Sequence, residues 1–129
     1  MVDYSKEDCT LKKPKEEIQL MAADVYFGPF WTHGGAKWIG DCDSFSLMDG
    51  REVDVSSVKG LKEWFSQAEK YDPYCVFEEF QPKGFEDWVN KGYELALEIK
   101  KLLPKDVVLY YAFSHKFGDS KWTICETRI

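Results

Sequence analysis

Histidine is nearly absent from this chain: His33 and His115 are the two it has. That scarcity narrows acid–base and metal chemistry sharply, since imidazole is the side chain that titrates nearest neutral pH and the commonest metal ligand. The four cysteines, Cys9, Cys42, Cys75 and Cys125, are scattered with no CxxC pair. Zinc ligands would have to come from four distant segments, and a domain of this size needs no disulfide framework, so the expectation is reduced thiols, no metal and no cofactor. There is no Gly-rich phosphate loop, GxSxG elbow or HExxH helix. Positive charge is also short, with 17 Lys and Arg against 23 Asp and Glu, which gives a net charge of -6. Phosphate backbones require clustered cations, so direct nucleic-acid binding is disfavoured and a basic partner fits better. No apolar run is long enough to span a bilayer, and the first residues lack the apolar core of a secretory signal. The expected location is therefore the cytoplasm, with no membrane association.

What the chain has in surplus is aromatic surface. Aromatic residues make up 16% of the 129 positions. One domain spanning 1–129 buries roughly two thirds of its unfolded surface, and some of these rings are left over for contact with a partner.

Residues 85–113 dictate the fold class. Phe85, Trp88, Val89, Gly92, Leu95, Ala96, Ile99, Leu102 and Leu103 recur at helical spacing, while Glu86, Asp87, Asn90, Lys91, Glu94, Glu98, Lys100 and Lys101 take the other side. Acids in the first turn and lysines in the last complement the helix dipole. Val107 to Phe113 is a run of β-branched and aromatic residues that suits a strand covered on both faces.

The other segments are read around that unit. Residues 1–15 are charged and poor in apolar positions, which predicts a loose arm. Alternation from Ile18 to Phe27 predicts a strand ended by Gly28-Pro29, and Thr32-His33-Gly34-Gly35 turns the chain into a second strand over 37–47. Asp49-Gly50 signals a tight turn before Glu52–Val55, a short edge strand or an extended lead into a helix. Ser56 or Ser57 is expected to cap a helix with Val58, Leu61, Phe65 and Ala68 on its inner stripe and Trp64 on its flank, stopping before Asp72-Pro73. Residues 73–83 form an apolar connector expected to pack down. Gly118-Asp119 leads into a last strand at Lys121–Arg128. The order predicts an α+β domain, an antiparallel or mixed sheet with two main helices packed on one face.

Two kinds of site are compatible with these residues. A Cys42–His33 nucleophile pair, oriented by Asp41 or Asp43, would need a thiol of lowered pKa, and Cys42 has no helix N-terminus behind it. A recognition patch has more material: Asp41, Asp43, Asp49, Glu52 and Asp54, with Glu78 and Glu79 in the connector, lie near Tyr26, Phe30, Trp31, His33, Trp38 and Tyr74. Acids interleaved with aromatics suit a basic protein partner. A small-molecule pocket near Trp31, His33 and Trp38 is the other reading.

The helix Phe85-Glu-Asp-Trp88…Gly92-Tyr-Glu-Leu95-Ala96-Leu-Glu-Ile99…Leu102-Leu103-Pro104 and the strand Asp106-Val-Val-Leu-Tyr-Tyr111 follow an aromatic first part. That part is Phe30-Trp31-Thr-His33-Gly34-Gly35…Trp38-Ile39-Gly40-Asp41, and Ser57…Leu61…Trp64-Phe65 comes after it. This layout resembles small immunity proteins of bacterial polymorphic and contact-dependent toxin systems. The resemblance implies a cytoplasmic binding protein without catalytic groups that neutralises a cognate, basic, nuclease-type toxin domain. It carries no binding residue over by motif and leaves the oligomeric state open. The partner-binding set is thus Tyr26, Trp31, His33, Trp38, Asp41, Asp43, Asp49, Glu52, Asp54, Glu78 and Glu79.

Overall fold

A computed structural model describes residues 16–22, 28–71, 83–117 and 121–129. The expected loose arm, Tyr26, Glu78, Glu79 and most of the apolar connector lie outside these residues. Seven strands form one sheet: β1 (Glu16–Leu20), β2 (Phe30–Thr32), β3 (Trp38–Gly40), β4 (Ser44–Ser46), β5 (Glu52–Asp54), β6 (Val107–Phe117) and β7 (Lys121–Arg128). Between β5 and β6 come α1 (Leu61–Ser66), α2 (Ala68–Tyr71) and α3 (Phe85–Lys100). The spatial order is β5-β4-β3-β2-β1-β6-β7. β1 to β5 step outward as an antiparallel meander. The helical segment then carries the chain back, so that β6 pairs with β1 in parallel and β7 returns antiparallel beside it. Parallel neighbours require such a long crossover, because a tight turn joins only antiparallel strands. The α+β class and the mixed sheet agree with the sequence reading.

Paired residues share a face of the sheet. Ile18, Leu20, Phe30, Phe45, Val53, Leu109 and Tyr111 lie on one face, joined by their registers, and all are buried. The helices pack there. Phe85, Trp88, Leu95, Ala96 and Ile99 of α3, with Leu61 and Trp64 of α1, complete the core. The apolar stripe of α3 is borne out as far as Ile99, whereas Leu102 projects outward past the end of the helix. Trp64, expected on the helix flank, is instead buried against Trp88. The tight approach is possible because α3 carries Gly92 there: a Cβ at this position would run into the Tyr111 hydroxyl and lie 2.6 Å from Trp64.

Three further expectations change. The first strand ends at Leu20 among the described residues, and the segment expected as one strand over 37–47 is two short strands, β3 and β4. Asp41 breaks it, its carboxylate accepting hydrogen bonds from the backbone N–H groups of Asp43 (2.9 Å) and Ser44 (3.1 Å). Such local side-chain bonds favour turns over ladders. Finally, α1 begins after Gly60, not at a serine cap: Ser56 Oγ donates to Asp54 at 2.6 Å.

Candidate functional site: the His33 face of the sheet

The second face of the sheet carries no described helix. Register places Glu17, Gln19, Trp31, Trp38, Tyr110, Ala112, Glu126 and Arg128 on it, with Ser44, Ser46, Glu52 and Asp54 toward the β5 edge. Its centre is organised by His33. The chain leaves β2 at Thr32 and enters β3 at Trp38, and just before it the Lys37 N–H donates to Thr32 Oγ1 at 3.1 Å. Gly34 and Gly35 both adopt positive φ, 94° and 76°, a conformation glycine takes without a Cβ penalty. This tight turn folds His33 over Tyr110, with ring centroids 3.8 Å apart and planes 5° from parallel.

Both imidazole nitrogens then meet carboxylates. Nδ1 lies 3.1 Å from Glu17 Oε2, and Nε2 lies 3.0 Å from Glu126 Oε2. A ring with one proton donates to one of these carboxylates, and a ring with two donates to both. Three strands are thereby tied to one loop: β1 through Glu17, β6 through Tyr110 and β7 through Glu126. With neither nitrogen turned outward, His33 serves here as a cross-link and has no free ring nitrogen to exchange protons with a substrate.

Beside this clamp is a recess of about 620 Å³ lined by Gln19, Met21, Trp31, Gly34, Gly35, Ile124 and Glu126. The Trp31 indole N–H donates to the Met21 carbonyl at 3.1 Å, which fixes the ring. Gln19 is 4% exposed, and its Oε1 accepts the Gly34 N–H at 3.0 Å. On the same face Ser114, paired with Ile124, has a buried hydroxyl without a hydrogen-bond partner among the described residues. Ile124 is an exposed hydrophobe on the last strand, at 55%.

The sequence-selected residues divide. Trp31 and Trp38 do come together, paired across β2 and β3 with His33 in the loop between these strands, and Trp38 is 42% exposed. Asp43, Glu52 and Asp54 meet in a shallow, polar recess at the β5 edge with Ser44 and Ser56. Several of these acids also hold local structure. Asp43 pairs with Lys62 at 2.8 Å, and this contact holds the Lys62 ammonium pKa above its usual value. Hydrogen bonds from Ser56 hold the Asp54 carboxyl below its usual range. Asp49 accepts from Arg51 Nε at 2.8 Å, while the same guanidinium forks onto Asp106 at 3.1 Å on both oxygens. Asp49 therefore holds Arg51, which anchors the β4–β5 turn to Asp106 at the start of β6.

The Cys42–His33 pair does not form. Cys42 belongs to the helix-side core, and burial together with Asp41 and Asp43 pushes its thiol up to about 11. A thiol held protonated is the opposite of an activated nucleophile. Cys42 and Cys125 are free thiols; Cys9 and Cys75 lie outside the described residues.

Glu17, Gln19, Met21, Tyr110, Ile124 and Glu126 were missed by sequence reasoning. Each reads locally as an ordinary strand residue, and Glu126 stands 93 positions from His33. No group of three or more metal-ligating side chains is placed to hold an ion among the described residues, and no helix there is long and apolar enough to cross a membrane. Compared with protein-family models, curated proteins and solved structures, the chain has no significant match.

Proposed function

We propose that this chain is a binding protein whose His33-bearing sheet face holds a basic protein partner. Following the resemblance of its layout, that partner is a cognate nuclease-type toxin domain that the chain neutralises. One observation carries the reading: a sheet face free of described helices presents exposed indole surface at Trp38, the fixed Trp31 ring and the carboxylates Glu17, Glu126, Glu52 and Asp54 together. Aromatic anchors amid acids are what a basic partner surface complements. The net charge of -6 adds long-range attraction of the same sign. His33 supports the reading because its engagement on both sides makes the face rigid, which lowers the entropy cost of docking.

The alternative, a small-molecule-binding or enzymatic domain, draws on the recess beside Trp31. The test that separates them is co-expression with the product of the adjacent upstream gene, scoring survival and co-purification. Survival and a stable complex support neutralisation. A gene product that is toxic alone, yet neither binds this chain nor is silenced by it, overturns the toxin reading.

A further inference from the structure

The recess beside the His33 clamp has the chemistry of a ligand site in its own right. At about 620 Å³ it falls within the range of small-molecule pockets, roughly 300–1,000 Å³. Its walls are mainly apolar, from Met21, Trp31 and Ile124. Among the described lining residues Glu126 alone carries charge. Both its oxygens face His33 Nε2, Oε2 at 3.0 Å and Oε1 at 3.2 Å, but a carboxylate has about four lone-pair directions, so it retains capacity to accept from a second donor.

Gln19 supplies the other polar contact. Because its Oε1 accepts the Gly34 N–H, the amide orientation is set, and Nε2 is the end that remains. Among the described residues Nε2 has one acceptor, the Met21 sulfur at 3.6 Å, which is a weak one. A primary amide has two N–H donors, so this buried group is under-satisfied where it lines the recess. Buried donors in that state favour a ligand that brings an acceptor. The absence of side chains at Gly34 and Gly35 keeps the position open: a Cβ on Gly35 would stand 3.3 Å from Gln19 Nε2.

We propose that this recess binds an organic cation with an apolar body, its amine or guanidinium against Glu126 and its apolar part on Trp31, Met21 and Ile124. A carbonyl of the ligand accepts from Gln19 Nε2. The Trp31 ring adds attraction for the cation. The same chemistry is offered by a free amine or by a lysine or arginine side chain with its main-chain carbonyl. The inference stands on the lining of the recess and is independent of the toxin reading.

The experiment is calorimetry and methyl NMR with phenylalaninamide as the free cation and a capped tripeptide with a central arginine as the side-chain source. N-acetylphenylalaninamide and N-acetylphenylalanine serve as neutral and anionic controls. At least one cationic probe should bind and shift the Met21 and Ile124 methyl signals, while both controls bind more weakly. Glu126→Gln should weaken the cation about tenfold, the scale of one hydrogen bond to a charged group. Ile124→Arg, at an exposed strand position that leaves the His33 clamp intact, should block the site with a tethered cation. Tighter binding of the tripeptide assigns the cation to a partner protein, and tighter binding of phenylalaninamide assigns it to a free molecule. No shift with either probe at millimolar concentration overturns the proposal, as does a control that binds as well as the cations. A wild-type chain that binds the cation yet fails to protect cells loses the toxin reading while this one stands.

Discussion

Trp64 and Trp88 donate to each other's backbone: each indole N–H reaches the other residue's carbonyl at 2.9 Å, with the rings stacked 5.2 Å apart. This reciprocal pair fastens α1 to α3. Trp64→Phe or Trp88→Phe, which loses one hydrogen bond and leaves a small void, should cost about 1–3 kcal/mol. Because the two bonds form one unit, the double variant should lose less than the sum of the singles. Urea unfolding of all three variants checks this, and strict additivity would show the two bonds to be independent.

Gly92 is held to glycine by the Tyr111 and Trp64 rings. The Tyr111 hydroxyl is itself fixed, donating to the Val89 carbonyl at 2.8 Å. Gly92→Ala gains helix propensity of about 1 kcal/mol, but overpacking typically costs about 1–3 kcal/mol. The expected net result is destabilisation, read as a lower denaturation midpoint.

Within α3, Ile99 is fully buried and Leu97 projects into solvent. Ile99→Ala should cost about 2–5 kcal/mol. Leu97→Ala should stay within about 0.5 kcal/mol of the wild type. Equal midpoints for the two variants would show that the helix presents a different face.

Cys42 supplies a pH signature. Burial above all, with the neighbouring Asp41 and Asp43 carboxylates, pushes its folded thiol from an ordinary 9.0 up to about 11. The group with the raised pKa contributes stability that is fully present below pH 9 and is lost as pH rises through about 11. Cys42→Ala should therefore show a shallower loss of stability than the wild type across that window, measured as the difference between their denaturation midpoints. At lower pH, thiol reagents should label Cys125 before Cys42 in the folded protein.

On the proposed interface, charge and aromatic surface should separate kinetically. Glu52→Lys with Asp54→Lys reverses two exposed acids of this face and should slow association with the toxin domain, more so at low salt. Trp38→Ala removes an exposed indole and should mainly speed dissociation. Surface plasmon resonance at two ionic strengths resolves both rates, and unchanged rates for all variants would move the interface elsewhere on the chain.

The 3.6-residue spacing from Phe85 to Ile99 and the β-branched run from Val107 were enough for the sequence to determine the α3–β6 unit, and with it the α+β class. Asp49-Gly50 likewise sets a turn locally, closed by Leu47 and Arg51. These features depend on residues a few positions apart, where periodicity and turn chemistry operate. The sequence also nominated Trp31, His33 and Trp38, because a Gly-Gly turn between indoles is a local pattern. Tertiary structure alone decided what surrounds them. The parallel pairing of β1 with β6 sets Gln19 beside Tyr110, and the β6–β7 ladder then brings Glu126 to His33. Strand pairing is chosen by burial of the whole helix-side face, and a one-residue slip would turn Gln19 into the core and Leu20 out of it. No local pattern encodes that choice, so the clamp and the recess beside it emerge only when seven strands share one register.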